Sequence, residues 1–149
     1  MNATTTTTFP RSVHEKYLGV VQLARTIDKA KMVASGEIGE YQYDCPMDQA
    51  LFAEFGIEGR KLLAIVSDVV KNSSHSPNIE AYVKPLLQKK TQLEIERFNH
   101  VTLSRKPTGY SLKQFEMLRT EIAPNRTDVT SWPDLLDLEE GRPVPKRTT

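Results

Sequence analysis

The sequence predicts an all-α fold, a compact single-domain bundle of about six to seven short helices. Three observations carry this. Ser or Thr followed three positions later by an acid or amide recurs along the chain, the pattern in which two side chains satisfy the unpaired N–H groups of a helix start. Behind each start the apolar residues return at three- and four-residue spacing, the period of one helical face. The best strand candidate, Glu40-Tyr41-Gln42-Tyr43, is four residues long and has no partner run. A length of 149 residues suits one core. The domain is expected over residues 12–141, between disordered tails at 1–11 and 142–149.

The elements follow in order. Ser12-Val13-His14-Glu15 opens a first helix with Tyr17, Val20, Val21, Ala24, Ile27, Ala30 and Ala34 on its apolar face; Gly19 bends or splits it and Gly36 stops it. Asp44-Cys45-Pro46 opens a second, with Pro46 at the first helical position, Leu51, Phe52 and Phe55 inside and Gly56 as the stop. A third runs from about Glu58 to Lys71, burying Leu62, Val66, Val69 and Val70, and ends in the polar loop Asn72 to Ser76. Ser76-Pro77 starts a fourth with Ile79, Val83, Leu86 and Leu87, kinked or divided at Pro85. Thr91-Gln92-Leu93-Glu94 opens a fifth, carrying Ile95, Phe98 and Val101 or Thr102. Ser111-Leu112-Lys113-Gln114 opens a sixth, burying Leu112, Phe115, Leu118 and Ile122 before Pro124. Ser131, with Asp134 completing its box, opens a last short helix that stops at Gly141.

Charge and composition exclude several classes. Twenty Lys and Arg oppose 19 Asp and Glu, so the chain is neither a basic nucleic-acid wrapper nor an acidic disordered tail. Between Lys84 and Arg119 eight bases face three acids, and Asp128 to Glu140 holds five acids and no base. The acidic last helix is therefore expected to cover the basic ones. Phe98 and Phe115 fall on apolar stripes rather than among the bases, which argues against a nucleic-acid surface. No apolar run is long enough to span a membrane, and the Thr4 to Thr8 start has no apolar signal segment. A single cysteine, Cys45, permits no internal disulfide, and a reducing cytoplasm is the expected location.

Candidate chemistry concentrates in the first fifty residues. Arg25, Asp28 and Lys29 project from neighbouring positions on one helical face. Gly36-Glu37-Ile38-Gly39-Glu40-Tyr41 then lets backbone pass close to a neighbour or ligand and returns the chain to Asp44, Cys45 and Asp48. Arg25, Asp28, Lys29, Glu40, Tyr41 and Asp48 are the expected binding surface, for a small anionic ligand or a protein partner. The plainer reading of Arg25 and Asp28 is a surface ion pair. Cys45 stands at a helix N-terminus, where a thiolate is favoured and nucleophilic or redox chemistry becomes available; the plainer reading is a small buried hydrophobe. Asp44 and Asp48 suit helix capping better than a cation site. His14, His75 and His100 are scattered, and no phosphate-binding loop or catalytic elbow is present, so no metal or cofactor is expected. Three functions stay open: a helical binding module, a cysteine-dependent enzyme or redox sensor, and a homo-oligomerising domain pairing surplus apolar faces of helices four to six.

Leu23 to Lys29, then Gly36 to Tyr41, Cys45-Pro46-Met47-Asp48 and Phe55-Gly56-Ile57, resemble the bacterial domain-of-unknown-function 5069 family. Arg97-Phe98-Asn99 and Asp137 to Arg142 resemble its second half. The resemblance implies a small helical bacterial protein; it implies no activity, cofactor or catalytic residue.

Overall fold

Leu23, Ile27 and Ala30 recur on one side of the first helix and are almost wholly buried, so this helix contributes the middle of the main core. The computed structural model describes residues 9–72 and 77–148, and it is all-α. Its seven helices are α1 (Leu23–Ala34), α2 (Pro46–Phe55), α3 (Gly59–Lys71), α4 (Pro77–Leu87), α5 (Gln92–Leu103), α6 (Tyr110–Ile122) and α7 (Trp132–Glu139). The described residues contain no strand, only an isolated bridge between Tyr17 and Val20. Ser76, expected to open the fourth helix, and the Thr4 to Thr8 run lie outside the described residues.

The main core joins α1 to Leu51, Phe52 and Phe55 of α2, Leu62 and Val66 of α3, Ile79, Val83 and Leu87 of α4, and Phe98 of α5. A smaller one gathers Phe115 of α6, Val129, Leu135 of α7 and Val144, with Trp132 packed edge-on to Phe115. No helix is long and apolar enough to cross a membrane.

Several starts are as read from sequence. Thr91 caps α5, its hydroxyl accepting the Glu94 N–H while the Glu94 carboxylate accepts the Thr91 N–H. Ser131 caps α7, and Gly56 closes α2 in the left-handed conformation. The α4 helix is not divided at Pro85.

Other expectations are corrected. The first helix begins at Leu23, not Ser12, because Leu18, Gly19 and Gln22 adopt positive φ and break the helical path. Asn99 of α5 holds this segment: its Oδ1 accepts the Val21 N–H at 3.0 Å and its Nδ2 donates to the Gly19 carbonyl at 2.9 Å. The Ser12 hydroxyl accepts the His14 N–H and donates to Asp137, so the box-like sequence makes a turn. The α6 helix starts beyond Gly109, and Ser111 bonds Thr108 rather than capping. Leu112 and Val70, expected inside, are exposed, and of the alternatives Val101 and Thr102 it is Thr102 that is buried.

Residues 142–148, read as a tail, have no helix or strand but pack on the domain. Val144 is buried in the smaller core, and the Arg147 guanidinium meets the Asp134 carboxylate at 2.8 Å. At the other end Arg11 pairs with Asp28 at 2.9 Å. The acidic last helix packs against α6 and α5, as expected, but its charges pair elsewhere. Asp134 meets His14 and Arg147, and Asp137 meets Arg142 and His14. Its partners thus come from the two ends of the chain; among the described residues no ion pair links it to a base between Lys84 and Arg119.

Candidate functional site

The α1 helix carries a second stripe beside its apolar one. Gln22, just before the helix, and Arg25, Lys29 and Met32 within it follow three- and four-residue spacing, so their side chains rise on one side. Gly36 and Gly39, both at positive φ, reverse the chain after α1. The chain then passes Tyr41 and enters α2 at Cys45, its N-cap. Glu140, the C-cap of α7, arrives from the other end of the sequence.

Two ion pairs form beneath this surface. Lys29 Nζ donates to Asp48 Oδ2 at 2.6 Å, to the Gln42 carbonyl at 2.9 Å and to Cys45 Sγ at 3.3 Å, which occupies all three of its N–H donors. Asp48 is fully buried and also accepts from Thr26 Oγ1 at 2.6 Å, Gln22 Nε2 at 2.9 Å and the backbone N–H groups of Asp44 and Cys45. Burial opposes its charge, but Lys29, Thr26 and Gln22 together outweigh burial and hold the carboxyl below the usual carboxylate range. Asp48 also closes the start of α2, the capping role expected of it.

Arg25 grips Glu140 with two prongs, Nη1 to Oε1 at 3.0 Å and Nη2 to Oε2 at 2.7 Å. Tyr41 Oη donates to the same carboxylate at 2.8 Å, and Arg142 pairs with it as well. Burial opposes the Glu140 charge, and the guanidinium bonds more than offset it, lowering its pKa. Burial and the Glu140 carboxylate push the Tyr41 phenol well above its ordinary value. The Arg25 guanidinium also lies 5.5 Å from the centre of the Tyr41 ring.

Above both pairs lies a cavity of about 620 Å³, within the size range of small-molecule sites. Phe9, Met32, Ile38, Met47 and Leu136 supply apolar walls. Gln22, Arg25, Lys29, Glu40, Tyr41 and Cys45 also line it, joined by Glu37, Glu139 and Glu140. Cys45 and Met47 also line a second cavity, about 360 Å³, beside Trp132 and Lys106.

Of the residues singled out in the sequence, Arg25, Lys29, Glu40, Tyr41 and Cys45 meet at this cavity. Asp48 lies behind Lys29, outside the lining, and Asp28 turns away to Arg11 rather than forming a surface pair with Arg25. Arg25 and Lys29 are both paired with buried carboxylates, Glu140 and Asp48. Sequence reasoning missed Gln22, Glu139 and Glu140. The one local hint was Gln22 itself, a polar residue in register with Arg25 and Lys29. Glu140 lies 115 positions from Arg25, beyond any local spacing rule.

A family model described as a domain of unknown function, DUF5069, matches residues 7–142, and the chain belongs to that family. Among curated proteins none matches the chain.

Proposed function

Because membership of this family leaves the chemistry open, we propose from the site itself that the domain binds a small organic molecule in the cavity above Arg25 and Lys29. One observation carries this reading. Among the described residues Gln22 Oε1 is the buried side-chain polar atom without a hydrogen-bond partner, although Gln22 is only 1% exposed. An unpaired buried acceptor costs about 1–3 kcal/mol, and a native structure keeps one where a ligand or water completes it. Gln22 is also one of the residues lining the cavity, and its Nε2 is turned to Asp48 and Thr26. The residue holds this pose at φ 71°, a left-handed conformation that costs a non-glycine residue of the order of 1 kcal/mol.

The arrangement is a rigid one. Arg25–Glu140 and Lys29–Asp48 are hydrogen-bonded pairs that fix α1 against α2 and the end of α7, and the cavity opens over them. Its apolar walls supply affinity and its polar atoms orientation. A fragment library screened by thermal shift and protein-observed NMR tests this. Met47→Trp, which fills the cavity from its apolar wall, should abolish the response to fragments that shift the wild type. Gln22→Met, which keeps the bulk and removes the amide, should weaken N–H donor fragments selectively. Fragments that bind both variants as they bind the wild type would place the ligand elsewhere and refute the reading.

A second reading keeps Cys45 as a reactive thiol. The observation favouring it is that Sγ lies 3.3 Å from Lys29 Nζ and that the residue lines two cavities. Timed iodoacetamide labelling of the folded protein, read by mass spectrometry, tests it; no labelling until denaturant is added would remove it.

A further inference from the structure

Among the described residues no acid of α7 pairs with the basic stretch from Lys84 to Arg119. Two cations of that stretch, Arg105 and Lys106 in the loop between α5 and α6, line the second cavity, about 360 Å³ in volume. Both side chains are exposed, and neither has an ion pair or a hydrogen bond among the described residues. Among those residues no Asp or Glu lines this cavity. In the neighbouring cavity, by contrast, Arg25 and Lys29 are answered by Glu140 and Asp48. Trp132, Met47 and Leu136 supply the apolar part of the lining. Three helices also begin at its walls: α2 with Cys45, Pro46 and Met47, α6 with Ser111 in its first turn, and α7 with Trp132. Their dipoles add to the two side-chain charges with the same sign.

We infer that this second cavity binds a phosphate monoester on a flat apolar body, with Arg105 and Lys106 at the phosphate and Trp132 against the body. The charge balance sets the class. Two unpaired cations without a carboxylate match a group that carries close to two negative charges at neutral pH and offers oxygens to both a guanidinium fork and an ammonium. A monoanionic carboxylate would leave one of the cations unanswered. The two charged groups hold no part of the fold together. It is the Arg105 carbonyl that accepts the Trp132 N–H, at 2.9 Å, and bonds between Thr108 and Ser111 that shape the start of α6. The indole ring and its apolar neighbours suit an aryl group or a body of similar flatness. This site is distinct from the cavity above Arg25 and Lys29, although Cys45, Met47 and Leu136 line both.

Trp132 is the only tryptophan of the chain, so its indole N–H resonance reports on this wall. Phenyl phosphate, benzenesulfonate and benzenesulfonamide share a shape and differ in charge; at about pH 7.5 the first is a dianion, the second a monoanion and the third neutral. Titrated by NMR into the full chain, phenyl phosphate is expected to shift the indole signal saturably and to bind at least about ten-fold more tightly than benzenesulfonate. The sulfonamide should be weakest, and raised salt should weaken phenyl phosphate. Arg105→Gln and Lys106→Gln should each weaken phenyl phosphate at least about ten-fold and leave Tm unchanged. Lys84→Gln, which removes an unpaired base of α4 outside both cavities, should leave binding as it is. A neutral peptide with one phosphotyrosine separates the two carriers of the group: tighter binding than phenyl phosphate assigns a protein chain, weaker binding a free small molecule, and either keeps the phosphate. No indole shift at millimolar phenyl phosphate, or a sulfonamide that binds as tightly, overturns the assignment. So does an equal loss in Lys84→Gln, the mark of diffuse attraction to a basic surface.

Discussion

Arg25 and Glu140 face each other through two hydrogen bonds of 3.0 and 2.7 Å, with side chains 4% and 0% exposed, and so tie the central helix to the residue that ends α7. Glu140→Ala leaves the guanidinium buried without its counter-charge. Removing one partner of a buried pair costs about 3–5 kcal/mol, which in a domain of this size corresponds to a drop of roughly 6–20 °C in Tm. Replacing both partners by apolar residues, Arg25→Met with Glu140→Leu, should recover much of that loss, because the desolvation of both charges is removed with them. Urea denaturation of the two variants measures the difference; equal destabilisation would mean that the pair itself, not its isolation, matters.

The Lys29–Asp48 pair predicts how stability depends on pH. Asp48 and Glu140 are held below their ordinary values of 3.8 and 4.5 in the fold. As pH falls, the unfolded chain takes up these protons first, so the native state binds fewer and is disfavoured. The stabilisation is present in full above about pH 5 and is lost progressively as pH drops through the ordinary carboxylate range toward the depressed folded values. Asp48→Asn should lose stability at pH 7 and show a shallower decline between about pH 5 and 3. Denaturation midpoints at four pH values check it, and an unchanged slope would mean that Asp48 is not among the titrating groups.

What was legible in the sequence depended on the distance over which its cause acts. Thr91 with Glu94, Ser131 at the start of α7 and Pro46 before Gly56 are local devices, and each helix begins or ends where its residues indicate. Ser12 has the same local pattern, yet its hydroxyl goes to Asp137, 125 positions away, and the segment behind it is held by Asn99. The same holds at the site. Arg25, Lys29 and Tyr41 were visible because one helical face and one glycine turn bring them together. The partner of Arg25 is not legible in this way: Asp28, three residues away, is the near candidate, whereas Glu140 is the actual one. The acids of α7 and its C-cap Glu140 sit on an element that packs against α5 and α6, yet they pair with Arg25, His14, Arg142 and Arg147.

The Asn99 clamp gives a prediction for the irregular entry to α1. Its amide satisfies the Val21 N–H and the Gly19 carbonyl at once. Asn99→Ala leaves the buried Val21 N–H without a partner, at about 1–3 kcal/mol, whereas the carbonyl of the exposed Gly19 can turn to water. A net destabilisation of about 1–3 kcal/mol is expected. Asn99→Asp, which keeps the acceptor for Val21 and loses the donor, should fall between. Amide hydrogen exchange adds a local readout: the Val21 N–H should lose protection in the Ala variant and keep more of it in the Asp variant.

The segment after Gly141 is the remaining test, because its sequence looks dispensable and its contacts do not. Deleting residues 142–149 removes Val144 from beside Phe115, Val129 and Leu135, takes Arg142 from Glu140, and takes Arg147 from Asp134. Burying one valine contributes about 1.5–3 kcal/mol. The loss of Arg147 alone should matter little, since its side chain is 43% exposed and such pairs contribute about 0–1 kcal/mol. The truncated chain should therefore be destabilised by at least about 2 kcal/mol, Val144→Ala by part of that, and Arg147→Ala hardly at all. Thermal denaturation of the three variants ranks them. A truncation as stable as the full chain would mean that Val144 adds nothing to the smaller core and that the segment is, after all, a tail.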